Sequence, residues 1–184
     1  HGIGSYQQAS DDHYSGMFKE GLYHGKGIYI GNDDAQYNGE FVKGIFTGQG
    51  LHKPEDGSEY QGGFDNWLYQ GQGTFTDSEG NKWIGQYENG VLTGQGELIG
   101  KDGYLYRGEF SDWRYHGEGE FHSAQGDIYK GSFKYGKYHG QGTMLYKKPL
   151  DGIKTINGTW HRGGLVSDQA RPELLSQKSC HELA

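Results

Sequence analysis

The chain predicts an all-β fold: an elongated, single-layer antiparallel sheet of tandem 23-residue β-hairpins, ending in a short C-terminal tail or helical cap. Three observations predict it. An aromatic residue recurs at Tyr14, Tyr37, Tyr60, Trp83, Tyr106 and Tyr129, 23 residues apart each time. A fixed period of this length marks a stacked array, not a closed globule. Within each repeat, aromatic or glycine residues alternate with polar ones, as in Tyr106-Arg107-Gly108-Glu109-Phe110, the two-residue period of a half-buried strand. Glycine-bearing turn signals separate the alternating runs.

The elements follow in order, with the recurring aromatic residue taken as position 1. Residues 1–13 form a partial repeat, because His1-Gly2-Ile3-Gly4 precedes Tyr14 by the same 13 residues that separate His24 from Tyr37. The chain thus begins mid-repeat, as a processed terminus would. Six full repeats span 14–155. The first carries Tyr14, Gly16, Phe18, His24, Gly25 and Gly27; the second Tyr37, Gly39, Phe41, Thr47, Gly48 and Gly50. The third carries Tyr60, Gly62, Phe64, Gly71 and Gly73, and the fourth Trp83, Gly85, Tyr87, Gly94 and Gly96. The fifth and sixth restore the histidine, with Tyr106, Phe110, His116 and Gly117, then Tyr129, Phe133, His139 and Gly140. Glycine at position 8 turns one strand into the next, and Asp56-Gly57, Glu79-Gly80, Asp102-Gly103 and Gln125-Gly126 turn one repeat into the next. After a four-residue insertion that includes Lys147-Lys148-Pro149, residues 156–163 form a degenerate half-repeat with Gly158 and Trp160. Residues 164–184 are the tail or cap, where Pro172 starts a short helix whose apolar face is Leu174, Leu175 and Leu183.

Glycine at positions 3, 12 and 14 clears one face for aromatic rings, which supply the burial. On this basis Gly94→Val or Gly117→Val is expected to push a branched side chain into the ring stack, and His116→Gln is expected to be mild because Gln70 holds the equivalent place.

Composition narrows the function. Thirty-five glycines in 184 residues fall in register with the repeat, which argues against low-complexity disorder. An aromatic content of 15% argues the same way. No apolar run is long enough to span a membrane as a helix, so a soluble or peripheral protein is expected. Cys180 is the single cysteine, so no internal disulfide forms. A sequence pI near 5.7 disfavours nucleic acid, whose phosphates need a basic footprint.

The aromatic-x-Gly hairpin with its His-Gly-x-Gly second half resembles the MORN repeat (membrane occupation and recognition nexus), over about residues 1–163. The resemblance implies an interaction module. Arrays of this kind occur in a SET-domain lysine methyltransferase, plant phosphatidylinositol phosphate kinases, junctophilins and cytoskeletal scaffolds, and any chemistry lives in an attached domain. It therefore implies a non-enzymatic scaffold without cofactor. The alternatives are peripheral attachment to anionic lipid, or the recognition module of a larger protein whose catalytic domain lies outside this chain.

The residues themselves offer no catalytic signature. His24, His116 and His139 share position 11, where Thr47, Gln70 and Thr93 substitute, a swap that no metal site tolerates. Glu109, Glu118 and Glu120 form an acidic cluster on a negative chain, which a solvated face explains, and Cys180-His181 sits on the tail without an organised base. Three departures from plain repeat chemistry remain. Position 10 holds Tyr23, Phe46, Tyr69, Leu92, Tyr115 and Tyr138, a stripe at about 10 Å intervals that serves either as added core or as a groove for an extended or helical protein segment. Trp67 and Trp113 replace the turn glycine at position 8; they are either exposed partner contacts or rings folded over their own hairpins. Finally, residues 1–128 carry a balance of −12, whereas residues 129–162 carry +6, from Lys130, Lys134, Lys137, Lys147, Lys148, Lys154 and Arg162 against Asp151. That asymmetry suits either solubility or a contact through the lysines, with anionic lipid or with a second copy in self-association.

Overall fold

Every hairpin starts from a two-residue turn whose central residues both have positive φ, such as Lys43 (52°) and Gly44 (85°) or Asn89 (50°) and Gly90 (86°). This is the type I′ geometry whose twist matches that of the flanking strands. The loops between repeats have three residues and end on a left-handed residue, Asp11 and Asp34 in the first two and glycine in the next four, as in 77–81, where Gly80 N–H donates to Asp77 O at 3.0 Å and Gly80 has φ 96°. Strand, tight turn, strand and short loop repeat along the chain.

The computed structural model describes residues 1–150 and 152–169. The chain divides into two units, His1–Leu92 and the residues from Thr93 onward. The first contains β1 (Gly2–Gln7), β2 (His13–Lys19), β3 (Leu22–Ile30), β4 (Gln36–Val42), β5 (Ile45–Lys53), β6 (Glu59–Asp65), β7 (Leu68–Thr76) and β8 (Lys82–Glu88). Strand β9 (Val91–Ile99) begins at the boundary, and the second unit continues with β10 (Leu105–Ser111), β11 (Arg114–His122), β12 (Ile128–Lys134), β13 (Lys137–Leu150), β14 (Ile153–His161) and β15 (Gly164–Asp168). Within each unit the strands lie in chain order and every pairing is antiparallel. The all-β array of tandem hairpins is therefore the fold, and no helix occurs among the described residues.

The array runs past residue 163, because β15 pairs with β14 through Gly158↔Asp168 and Trp160↔Leu165. The degenerate half-repeat is thus the first strand of a seventh hairpin. The insertion after Leu145 lengthens β13, and its register with β14 shifts between Leu145 and Leu150. The expected helix at Pro172 and the pair Cys180-His181 lie outside the described residues.

One face of each hairpin is glycine floored with rings. Gly16 opposes Gly27 in the β2–β3 register, as Gly62 opposes Gly73 and Gly108 opposes Gly119. A Cβ on Gly27 would stand 2.3 Å from the Tyr14 hydroxyl oxygen, and one on Gly73 2.2 Å from that of Tyr60. Positions 3 and 14 are thus the cradle in which the position-1 ring lies. Position 12 is different: a Cβ on Gly94 would meet nothing within 4 Å, and one on Gly117 would meet the Glu109 carboxylate. The expected collision with the ring stack does not occur there. Gly94 is needed for its φ of 66°, a left-handed conformation that costs other residues about 1–2 kcal/mol.

Candidate functional site

Four repeats build the ring face in one way. Tyr14, Tyr60, Tyr106 and Tyr129 are completely buried. Each hydroxyl donates to the carbonyl three residues on, at Met17 (2.9 Å), Gly63 (3.1 Å), Glu109 (2.8 Å) and Ser132 (3.1 Å). These acceptors lie at the register shifts of the hairpins, where the bulge turns a carbonyl out of the ladder. The position-10 tyrosine then lies flat on this buried ring. Centroids are 3.8 Å apart for Tyr14–Tyr23, 3.7 Å for Tyr60–Tyr69, 3.8 Å for Tyr106–Tyr115 and 3.9 Å for Tyr129–Tyr138. The position-5 phenylalanine meets the pair edge-on, as Phe18 meets Tyr14 at 5.1 Å and 87°. Such contacts contribute about 0.5–1.5 kcal/mol each beyond area burial, so each half-buried position-10 ring is held rigidly from below.

Tyr23, Tyr69, Tyr115 and Tyr138 are half-buried with one flank in solvent. Phe46 and Leu92 are not: both are fully buried, so these two members of the expected partner-binding stripe cannot touch a partner. The reason for Phe46 is an exchange of places. Its ring occupies the glycine cradle, 2.4 Å from where a Cβ on Gly50 would stand. Tyr37 is displaced to stack on His52 at 4.0 Å, and Trp67 covers the gap.

Trp67 is half-buried. It packs against the preceding hairpins, with centroids 5.2 Å from Tyr29, 5.1 Å from Tyr37, 5.9 Å from Phe41 and 5.8 Å from Phe46. Of the two expectations for this ring, an exposed contact or a cover over its own hairpin, the half-buried ring meets neither fully: it folds back along the array onto the preceding hairpins. Its backbone N–H donates to Phe46 O at 3.0 Å. Gly44, Gly90, Gly136 and Gly163 make the same bond to Tyr23, Tyr69, Tyr115 and Tyr138, so the position-10 carbonyl ties each hairpin to the next turn. Trp113 is also half-buried, and it has a left-handed φ of 64°.

The open flank of the face extends beyond position 10 to position 16, which the sequence argument did not single out. Tyr29, His52, Phe75 and Phe121 lie there half-buried, and the Tyr69 hydroxyl and His52 Nδ1 are hydrogen-bonded at 2.8 Å. Burial pushes the His52 pKa down, which favours the neutral ring. In the second unit, Phe121 is 6.2 Å from Tyr115 and 6.3 Å from Tyr138, forming a continuous aromatic path.

The opposite face also differs between the units. In the first, position 9 gives Leu22, Ile45 and Leu68, exposed at 47%, 42% and 45%. The same register argument that found position 10 applies to them. In the second unit, position 9 is Arg114 and Lys137. There the face is polar: Arg107 pairs with Glu97 at 2.9 Å, Lys130 with Glu120 at 2.7 Å, and Gln141 bonds Thr159 at 2.8 Å. A shallow polar depression of about 280 Å³ is lined by Lys130, Gln141, Thr143, Asn157 and Gln169.

Of the lysines, Lys130 is compensated by Glu120. Lys134 and Lys137 oppose each other across the turn, with Lys134 Nζ 5.6 Å from the Tyr135 ring. Lys147 and Lys148 are exposed at the other end of the same hairpin, where Lys147 N–H donates to Asp127 at 2.9 Å. The position-11 histidines are scattered: His116 lies against Tyr135 and His139 against His161. Among the described residues no group of three or more His, Cys, Asp or Glu is placed to hold a metal ion, and no helix is long and apolar enough to cross a membrane.

The MORN repeat family model matches residues 14–36, 37–58, 60–82, 83–103, 106–128 and 129–148. These six matches cover most of the chain, which belongs to the MORN-repeat family. Repeats of this family are generally involved in protein or lipid interactions and are generally non-catalytic modules. A search of curated proteins finds no match to the chain.

Proposed function

We propose that this chain is a non-enzymatic scaffold that binds a protein segment along its aromatic face. The observation that carries the proposal is the set of four half-exposed tyrosines, Tyr23, Tyr69, Tyr115 and Tyr138, each stacked on a buried tyrosine at 3.7–3.9 Å. Tyrosine is enriched among the residues that dominate binding energy, and rings fixed before binding lose little entropy when a partner arrives. Leucine already occupies this position at Leu92, so Tyr69→Leu and Tyr138→Leu are variants the fold should accept. Peptides selected on the wild-type chain should bind these variants at least tenfold more weakly, at about 1.4 kcal/mol per tenfold, with the circular dichroism spectrum unchanged. Selected peptides indifferent to all four tyrosines would overturn the proposal.

The basic sixth repeat supports a second reading, contact with anionic lipid. Lys134, Lys137, Lys147 and Lys148 are exposed and form no ion pair among the described residues. Flotation with phosphatidylserine vesicles should then be strong at low salt and lost at high salt; equal flotation with neutral vesicles would exclude this contact.

A further inference from the structure

The ring face of the first unit is bordered along one edge by charge of a single sign. The loops at residues 8–12, 31–35 and 54–58 carry Asp11, Asp12, Asp33, Asp34, Glu55 and Asp56, and no lysine or arginine. The turns at the opposite edge are balanced, with Lys19 and Lys43 against Glu20 and Asp65. The loop carboxylates are held toward the ring side. Ala35 N–H donates to Asp33 Oδ1 at 3.2 Å, and Asp56 Oδ1 accepts from the Ser58 N–H at 2.9 Å and the Ser58 hydroxyl at 2.6 Å. Ala35 and Ser58 are buried. They precede Tyr37 and Tyr60 by two residues, so they lie on the same side of the chain as those rings. Asp12 reaches the next loop, where its Oδ1 accepts the Asn32 N–H at 3.0 Å. No lysine or arginine pairs with Asp12, Asp33 or Asp56 among the described residues.

Beside these loops the rings form an unbroken row. Centroids are 6.3 Å apart for Tyr23–Tyr29 and for Tyr29–Tyr37, 4.0 Å for Tyr37–His52 and 5.9 Å for His52–Tyr69. All five rings are half-buried. Burial is the main cause of the raised pKa at Tyr29, Tyr37 and Tyr69, and Asp12, Asp33 and Asp56 respectively add to it. The carboxylates are thus near enough for the rings to feel their field. Burial holds His52 toward its neutral form, so the row adds no cation of its own at neutral pH. Ring faces beside unpaired carboxylates suit one side chain best. The arginine guanidinium is planar, stacks on aromatic rings and meets a carboxylate through two parallel N–H donors. A lysine ammonium is a more strongly hydrated point charge without a flat face, and an anionic occupant is repelled by the same carboxylates.

We infer that the aromatic face of the first unit, along its acidic loops, is a docking site for an arginine-rich segment of a partner protein. This rests on the aromatic-face function proposed above and names the class of partner for it.

The test is fluorescence anisotropy with a labelled Arg-Gly-Ser repeat peptide, beside Lys-Gly-Ser and Glu-Gly-Ser repeats of the same length. The arginine peptide should bind about tenfold more tightly than the lysine one, and the glutamate peptide should not bind. Asp33→Asn with Asp56→Asn keeps the oxygen that accepts each loop N–H and removes only the charge. This pair should weaken the arginine peptide about three- to tenfold and flatten its salt dependence, with the melting curve unchanged. Asp34→Asn with Glu55→Gln, at two exposed positions, should act in the same direction without touching those loop bonds. Tyr69→Leu should also weaken the arginine peptide. Equal binding of the arginine and lysine peptides would overturn the inference, as would arginine-peptide binding indifferent to the charge-removing pairs or to Tyr69→Leu. If the arginine peptide does not bind while peptides selected on the wild-type chain are lost in Tyr69→Leu, the arginine inference falls and the aromatic-face function stands. If neither the arginine peptide nor any selected peptide responds to the four tyrosines, both fall.

Discussion

At the scale of single residues, one contact decides most of the fold: a tyrosine ring lying in a cradle made by two glycines. Gly27 and Gly94 separate the two roles that glycine plays here. A Cβ at Gly27 would stand 2.3–2.6 Å from the hydroxyl and ring atoms of Tyr14, which is fully buried, so Gly27→Ala should cost about 1–3 kcal/mol by overpacking. Gly94→Ala meets open space and pays only for its φ of 66°, about 1–2 kcal/mol. Urea unfolding should therefore rank Gly27→Ala as the more damaging; the reverse order would mean that the cradle is not what constrains these positions. The tyrosines also set a pH limit. Burial pushes the pKa of Tyr60 and Tyr129 up to about 12, and that of Tyr29 likewise, with Asp12 adding to the shift. Tyr69, Tyr106, Tyr115 and Tyr138 are raised as well, again chiefly by burial. An unfolded tyrosine ionises near pH 10, so the stabilisation is complete below pH 10 and declines as pH rises from 10 through 12. The urea midpoint should be flat from pH 8 to about 9.5 and fall steeply above pH 10. A midpoint unchanged at pH 11.5 would show that these hydroxyls are not buried.

At the scale of the hairpin, the second repeat shows how the pattern is varied without being broken. Trp67 sits at a turn position where glycine is usual, with a φ of 68°, a strain of about 1–2 kcal/mol for a side-chain-bearing residue. Against this stands its packing on Tyr29, Tyr37, Phe41 and Phe46, and truncating a well-packed tryptophan costs about 3–5 kcal/mol. Packing wins. Trp67→Gly should be destabilising by about 1–4 kcal/mol, the difference of those terms, and should expose Phe46. A variant more stable than wild type would mean the ring contributes only strain. Leu92 and Trp113 repeat the Phe46–Trp67 spacing of 21 residues, so the exchange has a sequence signature. That signature was legible in the two departures from the pattern, but only as separate oddities. Register dictates which face a side chain occupies; it does not dictate which of two rings on that face takes the cradle, because that depends on the volumes of Tyr37, Phe46 and Trp67 together.

At the scale of the whole chain, the 23-residue register made nearly all of the strands readable in advance, since alternation and turn glycines both follow from it. It was less informative past residue 163, where β15 carries a single motif-like residue pair, Gly164-Leu165, and no aromatic residue. The candidate site was half legible: Tyr23, Tyr69, Tyr115 and Tyr138 lie on an open flank and the register also gives the exposed row Leu22, Ile45 and Leu68, whereas burial of Phe46 and Leu92 depends on packing that spacing alone does not specify. The two faces thus offer competing surfaces in the first unit, one of rigid aromatic rings and one of flexible aliphatic chains. The central claim is that partners use the aromatic side. The most direct measurement is a chemical-shift map of the chain labelled at tyrosine rings and at leucine and isoleucine methyls, recorded with and without a selected peptide ligand. The shifts should change at Tyr23, Tyr69, Tyr115 or Tyr138, with Leu22, Ile45 and Leu68 unmoved; changes confined to those three aliphatic residues would contradict the claim.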